Sequence, residues 1–258
     1  MTYTGEANER GAPHGEGVKE WPNGYHYVGQ WRNGRMHGHG SATAHWGDRY
    51  VGEFKYGKKH GHGVMIFDNG DRYEGHFKYG KMHGTGTYEN ANGEQYEGQF
   101  KYDKKEGHGV MIFDNGSRYE GQFKYGKMHG HGVMIFDNGD RYEGRFRHGR
   151  KHGNGRTDFS LEKGSPPAYY EGGFRDDKPH GQGVFEYGKE GRYEGEIRDG
   201  EQHGHGIFEY ANGDRYEGEW EINLEHGHGI IEYAEGGRYE GKWSYGEKAD
   251  QSTDINPK

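Results

Sequence analysis

The chain has 258 residues, a formal net charge of −8 and 28% hydrophobic residues, yet 15% aromatics and 52 glycines. Leu, Ile, Val and Phe together fill only 30 positions, too few for an aliphatic core of ordinary size and, by composition alone, a mark of disorder. Cysteine is absent, which excludes a disulfide framework, a thiol nucleophile and a thiolate zinc site.

The N-terminus, Met1-Thr2-Tyr3-Thr4-Gly5-Glu6, has no basic segment leading into an apolar run, so no secretory signal is visible. No stretch approaches the 18 apolar residues of a spanning helix, and the expectation is a soluble, cytoplasmic protein. From Tyr3 onward one pattern recurs: a Tyr followed two residues later by Gly, at Tyr3, Tyr27, Tyr50, Tyr73, Tyr96, Tyr119, Tyr142, Tyr170, Tyr193, Tyr216 and Tyr239. Eight of the ten spacings are 23 residues, the exceptions being 24 at the first and 28 between Tyr142 and Tyr170. A large apolar residue follows each later Tyr by four positions (Trp31, Phe54, Phe77 through Trp243), and His-Gly follows by ten, with Glu106 replacing His once. Regular spacing of glycines and rings argues for an ordered thin sheet instead of a disordered chain.

Within a module, Tyr73, Gly75 and Phe77 stand two apart and share one strand face, while Glu74 and His76 take the other. By the same parity Gly61, Gly63, Met65 and Phe67 share a face in the second strand. Glycine inside a strand marks close approach of other groups, here slots in which the rings lie across the backbone. Asn-Gly, as at Asn69-Gly70, predicts a type I′ hairpin turn, and the Tyr79-Gly80-Lys81-Met82-His83 connection a longer one. A period of 23 leaves no room for a crossover helix, so the strands must run antiparallel. The expected fold is all-β: an elongated single-layer antiparallel meander of about ten 23-residue hairpins, roughly 95 Å long at 4.8 Å per strand, with no helical domain. Residues 1–26, with Ala7 in place of the large apolar residue, read as a degenerate N-terminal cap. Residues 27–247 form the array, with a longer turn at about 157–169, and residues 248–258 read as a disordered tail.

The Tyr-x-Gly-x-Phe/Trp, His-Gly-x-Gly and Asn-Gly elements, running from Tyr3 to Trp243, resemble the MORN repeat family (membrane occupation and recognition nexus). Short chains made almost wholly of such repeats are similar to radial-spoke head components of motile cilia and related cytoskeletal scaffolds. That resemblance implies a structural role, self-association and a place in a cilium or flagellum axoneme.

Candidate chemistry is weak. His-Gly-His pairs, such as His60/His62 and His129/His131, place two imidazoles at i and i+2, conceivable as zinc clips. The first His belongs to the repeat itself, though, and the second is replaced by Glu16, Thr85, Asn154 and Gln182, so a repeat signature is the better reading. No phosphate loop, nucleophile elbow or zinc-protease helix is present, and no cofactor or catalytic residue is expected.

Charge is uneven: net 0 over residues 1–46, +4 over 47–156 and −12 over 157–258. Basic residues gather in alternate turns: Lys55, Lys58 and Lys59; Lys78 and Lys81; Lys101, Lys104 and Lys105; Lys124 and Lys127; Arg147, Arg150 and Lys151. A meander puts these along one edge, opposite Asp68, Asp71, Asp114, Asp137 and Asp140. Two readings stand: docking for an acidic protein tract or anionic lipid, or a solvated edge that prevents aggregation. Nucleic acid is disfavoured by the acidic total. A second candidate surface is an aliphatic stripe opposite the glycines, Val64/Ile66, Val110/Ile112 and Val133/Ile135, which a one-layer sheet cannot bury. The last strand, Tyr239 to Trp243, is expected to lack a following partner and so to offer an edge to another chain. The sequence thus predicts a non-enzymatic scaffold, with acidic-phospholipid binding through the basic edge as the alternative.

Overall fold

The computed structural model describes residues 2–162, 164–249 and 254–255. Two compact units divide the chain, residues 1–127 and 128–258. The first holds β1 (Thr2–Ala7), β2 (Pro13–Glu20), β3 (His26–Arg32), β4 (Arg35–Thr43), β5 (Arg49–Lys55) and β6 (Lys58–Ile66). It continues with β7 (Arg72–Lys78), β8 (Lys81–Glu89), β9 (Gln95–Lys101), β10 (Lys104–Ile112) and β11 (Arg118–Lys124). The second begins within β12 (Lys127–Ile135) and runs through β13 (Arg141–Arg147), β14 (Arg150–Asp158), β15 (Ala168–Arg175), β16 (Lys178–Tyr187) and β17 (Gly191–Arg198). Then come β18 (Glu201–Tyr210), β19 (Arg215–Glu221), β20 (Leu224–Glu232), β21 (Arg238–Ser244), β22 (Glu247–Lys248) and β23 (Asp254–Ile255). Among the described residues there is no helix, and inside each unit the long strands pair antiparallel with their sequence neighbours, while the short β23 pairs with β21. The all-β antiparallel meander is therefore the fold.

One glycine per strand lies in register across each unit. In the first unit Gly52 pairs with Gly63, Gly63 with Gly75, and Gly75 with Gly86. These glycines make room for the tyrosines. A Cβ on Gly63 would stand 2.6 Å from Cε2 and Cζ of Tyr50, so the ring occupies the volume a side chain would need. The Tyr50 hydroxyl donates to the Glu53 carbonyl at 3.0 Å, and Tyr73, Tyr96 and Tyr142 repeat the bond three residues on. Each ring then meets its neighbours edge-on: Tyr50 lies 5.1 Å from Phe54 and 5.0 Å from Phe77 of the next repeat. Such edge contacts contribute about 0.5–1.5 kcal/mol each beyond area burial. Tyr50 is left 1% exposed, which is how a layer with few aliphatics still buries apolar surface.

Two sequence expectations about the turns are reversed. Tyr79-Gly80 is the two-residue turn, with φ of 54° and 88°, as a type I′ hairpin requires. Asn69-Gly70 instead takes the third and fourth positions of a five-residue loop, in which Gly70 N–H donates to the Phe67 carbonyl at 3.0 Å and only Gly70 has positive φ. That pattern is a type I turn with glycine at its fourth position. The parity argument also fails at Gly61. The register jumps between Gly52/Gly63 and Phe54/Lys59, and Gly61 bulges at φ 58°, so a Cβ there would strike the Glu53 carboxylate on the polar face.

Residues 159–167 connect β14 to β15 without breaking the ladder, since Thr157 still faces Tyr170. Lys163 in that connection lies outside the described residues, as does most of the 248–258 segment. The last long strand is not a bare edge: Trp243 pairs with Lys248, and Tyr239 with Asp254. The chain turns back on itself there, so the expected open edge at Tyr239–Trp243 is partly taken.

Candidate interaction surfaces

The alternate lysines are separated by the hairpin geometry into two groups. Lys55 and Lys58 face each other across the Tyr56-Gly57 turn, as do Lys78/Lys81, Lys101/Lys104 and the corresponding Lys124 and Lys127 positions. These side chains are exposed, and the turn tyrosines between them project further: Tyr56 is 65% exposed, Tyr79 64% and Tyr125 69%. Lys55 and Lys78 each stand 5.8 Å from the adjacent tyrosine ring. Backbone bonds tie each tip to the preceding repeat: Gly80 N–H donates to Lys59 at 2.9 Å, and Gly126 N–H to Lys105 at 2.9 Å. Two strands separate neighbouring tips, a repeat of about 10 Å.

Lys59 and Lys105 are not part of that row. Both turn onto the ring face, where the Lys59 ammonium lies 5.3 Å from the Tyr50 ring and that of Lys105 4.9 Å from Tyr96. Burial there lowers the pKa of each below the usual lysine value. Lys151 behaves alike in the second unit, over Phe136 and Tyr142 at 4.8 Å. Strand parity separates these from Lys58 and Lys104, one residue earlier.

The aliphatic stripe lies on the opposite face in each unit, with Ile66 44% and Ile112 40% exposed beside half-buried Val64 and Val110 in the first, and Ile135 40% exposed beside half-buried Val133 in the second. It is interleaved with charge: Val64 and Ile66 pair across the ladder with Glu74 and Arg72, which are ion-paired to each other. Arg118–Glu120 and Arg141–Glu143 repeat this at 2.6 and 2.5 Å. Three further valines, Val18, Val28 and Val51, share this face at 37–52% exposure; period-2 counting from Val64 through the paired strands would have found them.

The acidic edge has a structural use. Asp71 accepts from Tyr88 Oη at 2.7 Å and from Ala91 N–H at 3.0 Å, so one turn is fastened to the next, and those bonds hold its pKa low. Asp48, Asp140 and Asp214 make the same bond to the residue 20 positions on. The repeat histidines, such as His60 and His83, and a second histidine such as His62 serve different contacts. His60 lies 6.3 Å from Tyr79 and His83 5.2 Å from Tyr102, whereas His62 meets His76 at 5.7 Å on the exposed face. The positive φ of the intervening glycine breaks the i, i+2 alignment that a two-imidazole clip would use. Among the described residues no group of three or more His, Asp or Glu is placed so that it could hold a metal ion.

The second unit adds surfaces that the repeat pattern hid. One is an aromatic groove of about 450 Å³ on the ring face, walled by Phe185, Tyr187, Phe208, Tyr210 and Trp220. Its signal in the sequence is the replacement of Met65/Phe67-type pairs by Phe185/Tyr187 and Phe208/Tyr210.

Among solved structures, the chain is similar to the TCP10 domain of Danio rerio CPAP at 9% identity, covering 88% of this chain and 99% of that one, with a TM-score of 0.42. It is also similar to the SAS-4 (dCPAP) TCP domain of Drosophila melanogaster, solved with a proline-rich motif of Ana2, at 9% identity, 88% and 90% coverage and TM-score 0.30. The CPAP G-box domain gives 13% identity, 88% and 93% coverage and TM-score 0.32. No curated protein matches the sequence. The MORN repeat model matches ten segments: residues 9–24, 27–49, 50–72, 73–95, 96–118, 119–141, 142–160, 170–192, 193–215 and 216–238. With the Tyr-on-Gly ladder repeating at that period along the strands, the chain belongs to the MORN repeat family.

Proposed function

We propose that this protein is a non-enzymatic scaffold whose hairpin tips hold partner proteins in a cytoskeletal assembly, of the motile-cilium axoneme type. One observation carries this reading. Tyr56, Tyr79, Tyr102 and Tyr125 are all held at φ between 51° and 54°, where a bulky side chain is disfavoured and Asn or Gly would be at ease. Backbone strain kept at four successive tips, with the rings exposed between lysines, points to a use for the rings. A ladder repeating every 10 Å or so suits an extended acidic partner, by charge and by stacking. The acids of the opposite face, such as Glu74, Glu120 and Glu143, are each engaged by a neighbouring arginine in the same setting, which favours structure over catalysis. The aliphatic residues of each unit, Val64/Ile66 and Val110/Ile112 in the first and Val133/Ile135 in the second, offer further contact areas for another protein or another copy.

The test is recovery of partners by the tagged protein in its own cell, with Tyr56, Tyr79, Tyr102 and Tyr125 each replaced by Asn. Loss of partners from a folded variant, and a wild-type tag on the axoneme, would support the reading; unchanged recovery would reject the tips as the contact. Lys-flanked tyrosines also favour a second reading, binding to acidic phospholipid. Sedimentation with anionic and neutral vesicles separates the two, since salt-sensitive pelleting with anionic vesicles alone belongs to the membrane reading.

A further inference from the structure

On the ring face, one position per repeat sits above the aromatic cluster. In four repeats it is a lysine of the chain itself: Lys59 lies 5.3 Å from the Tyr50 ring, Lys105 4.9 Å from Tyr96, Lys151 4.8 Å from Tyr142, and Lys248 4.4 Å from Tyr239. Lys151 and Lys248 also reach the aromatic residue 15 positions earlier, Phe136 at 4.8 Å and Tyr233 at 5.4 Å. In two consecutive repeats of the second unit the same position is Gln202 and Glu225. The rings below are more numerous there. Phe185 and Tyr187 stack at 5.3 Å and 16°, Tyr187 and Phe208 at 5.9 Å and 16°, and Phe208 and Tyr210 lie 4.5 Å apart, with Trp220 closing one wall. The aromatic residue 15 positions before each cap now meets a neutral or anionic group instead of an ammonium: Gln202 Nε2 donates to Tyr187 Oη at 3.2 Å, and Tyr210 donates to Glu225.

Glu190 and Glu225 border this groove, and among the described residues neither is ion-paired to lysine or arginine. Ring faces, with their negative quadrupoles, and two carboxylates without a cation describe a place built for positive charge. In the repeats of Lys59, Lys105, Lys151 and Lys248 that place carries an ammonium of the chain itself. Here Gln202, 4% exposed, and Glu225 hold it, and the groove beside them has no lysine or arginine in its lining and is of negative character. We propose that this groove takes the ammonium end of a lysine side chain from a partner protein, completing the contact that other repeats make with a lysine of their own. The scaffold reading supplies only the source of that lysine. The ring arrangement and the carboxylates stand apart from the hairpin tips, so the two claims fail separately.

The test titrates the full-length chain with N-acetyl-lysine methylamide while following the Trp220 indole Nε1–H, which donates to the Gly206 carbonyl at 3.1 Å and lies in the groove wall. A saturable shift is expected, with the uncharged norleucine counterpart bound about tenfold more weakly. Glu225→Lys should supply an internal cap like Lys248 and weaken binding at least as much. Glu225→Gln, which keeps the shape, should weaken it to a smaller degree and guards against a folding artefact. Equal binding of norleucine, no movement of Trp220, unchanged binding by Glu225→Lys, or stronger binding of a proline-rich peptide would each overturn the proposal. Partner recovery with the tip tyrosines replaced reads the scaffold role and is blind to this groove.

Discussion

The Tyr50 ring fills the space that a side chain on Gly63 would need, its Cε2 and Cζ standing 2.6 Å from the site of a Cβ. Gly63 sits opposite Gly52 on the strand that carries Tyr50, and the hydroxyl is anchored to the Glu53 carbonyl at 3.0 Å, so the ring has no direction in which to retreat. Gly63→Ala is expected to lower the unfolding free energy by about 1–3 kcal/mol. Gly57→Ala, at φ 80° with nothing within 4 Å, should cost only about 1 kcal/mol of backbone strain. Urea unfolding of the two variants followed by far-ultraviolet dichroism measures the difference; equal losses would remove the ring-on-glycine argument.

Tyr79 stands at φ 54° with its ring 64% exposed, so it contributes strain without burial. Tyr79→Asn should therefore stabilise the fold, by about 0.5–1 kcal/mol in the same unfolding experiment. Under the scaffold reading the same change lowers partner recovery. A rise in stability accompanied by a fall in binding is the combined outcome that sets this residue apart from a structural tyrosine.

Asp71 fastens its turn to Tyr88 and Ala91, whereas Asp68, three residues earlier, is exposed. Asp71→Ala leaves the Tyr88 hydroxyl and the Ala91 N–H without this acceptor and should cost about 1–2 kcal/mol. Asp68→Ala should stay within about 0.5 kcal/mol of wild type. Thermal melts of the pair decide whether the acidic edge is a set of turn fasteners or merely a charged rim.

Burial raises the pKa of the ring-face tyrosines Tyr27, Tyr50, Tyr73, Tyr96 and Tyr193 above the ordinary tyrosine value of 10.0, and that of Tyr170 to about 12. The folded chain thus keeps these protons where the unfolded chain loses them. Their stabilising contribution is complete below pH 10 and is lost as pH climbs through the raised folded values, about 12 for Tyr170. Phenolate absorbance at 295 nm should rise together with loss of the sheet dichroism. Ionisation of these rings in a sheet that keeps its spectrum would contradict the packing.

Much of this molecule is readable from spacing alone. Tyr73, Gly75 and Phe77 at i, i+2 and i+4 name a strand and its ring face, because side-chain direction in a strand depends only on parity. Lys58 and Lys59 show where that reading stops. They are neighbours in a basic turn, but one projects at the hairpin tip and the other bends over Tyr50 and Phe77, rings nine residues before and 18 residues after it. Parity puts the two on opposite faces, but only the paired strands reveal that one face carries rings for a cation to cover. The turn types were hidden for a related reason. Asn-Gly and Tyr-Gly both accept positive φ at glycine, and the register between strands, not the dipeptide, selects which loop has two residues and which has five.

By itself, the sequence determined the strand identity, the antiparallel meander, the glycine row and the repeat family, since each follows from local period and from the length between turns. Tertiary structure decided which lysines lie on rings, where the Gly61 bulge breaks parity, how Asp71 joins adjacent turns, and that Phe185, Tyr187, Phe208 and Trp220 line one groove. Those outcomes rest on contacts across paired strands, from Tyr50 with Lys59 nine residues on to Phe185 with Trp220 35 residues on, and the local period of a strand does not contain them.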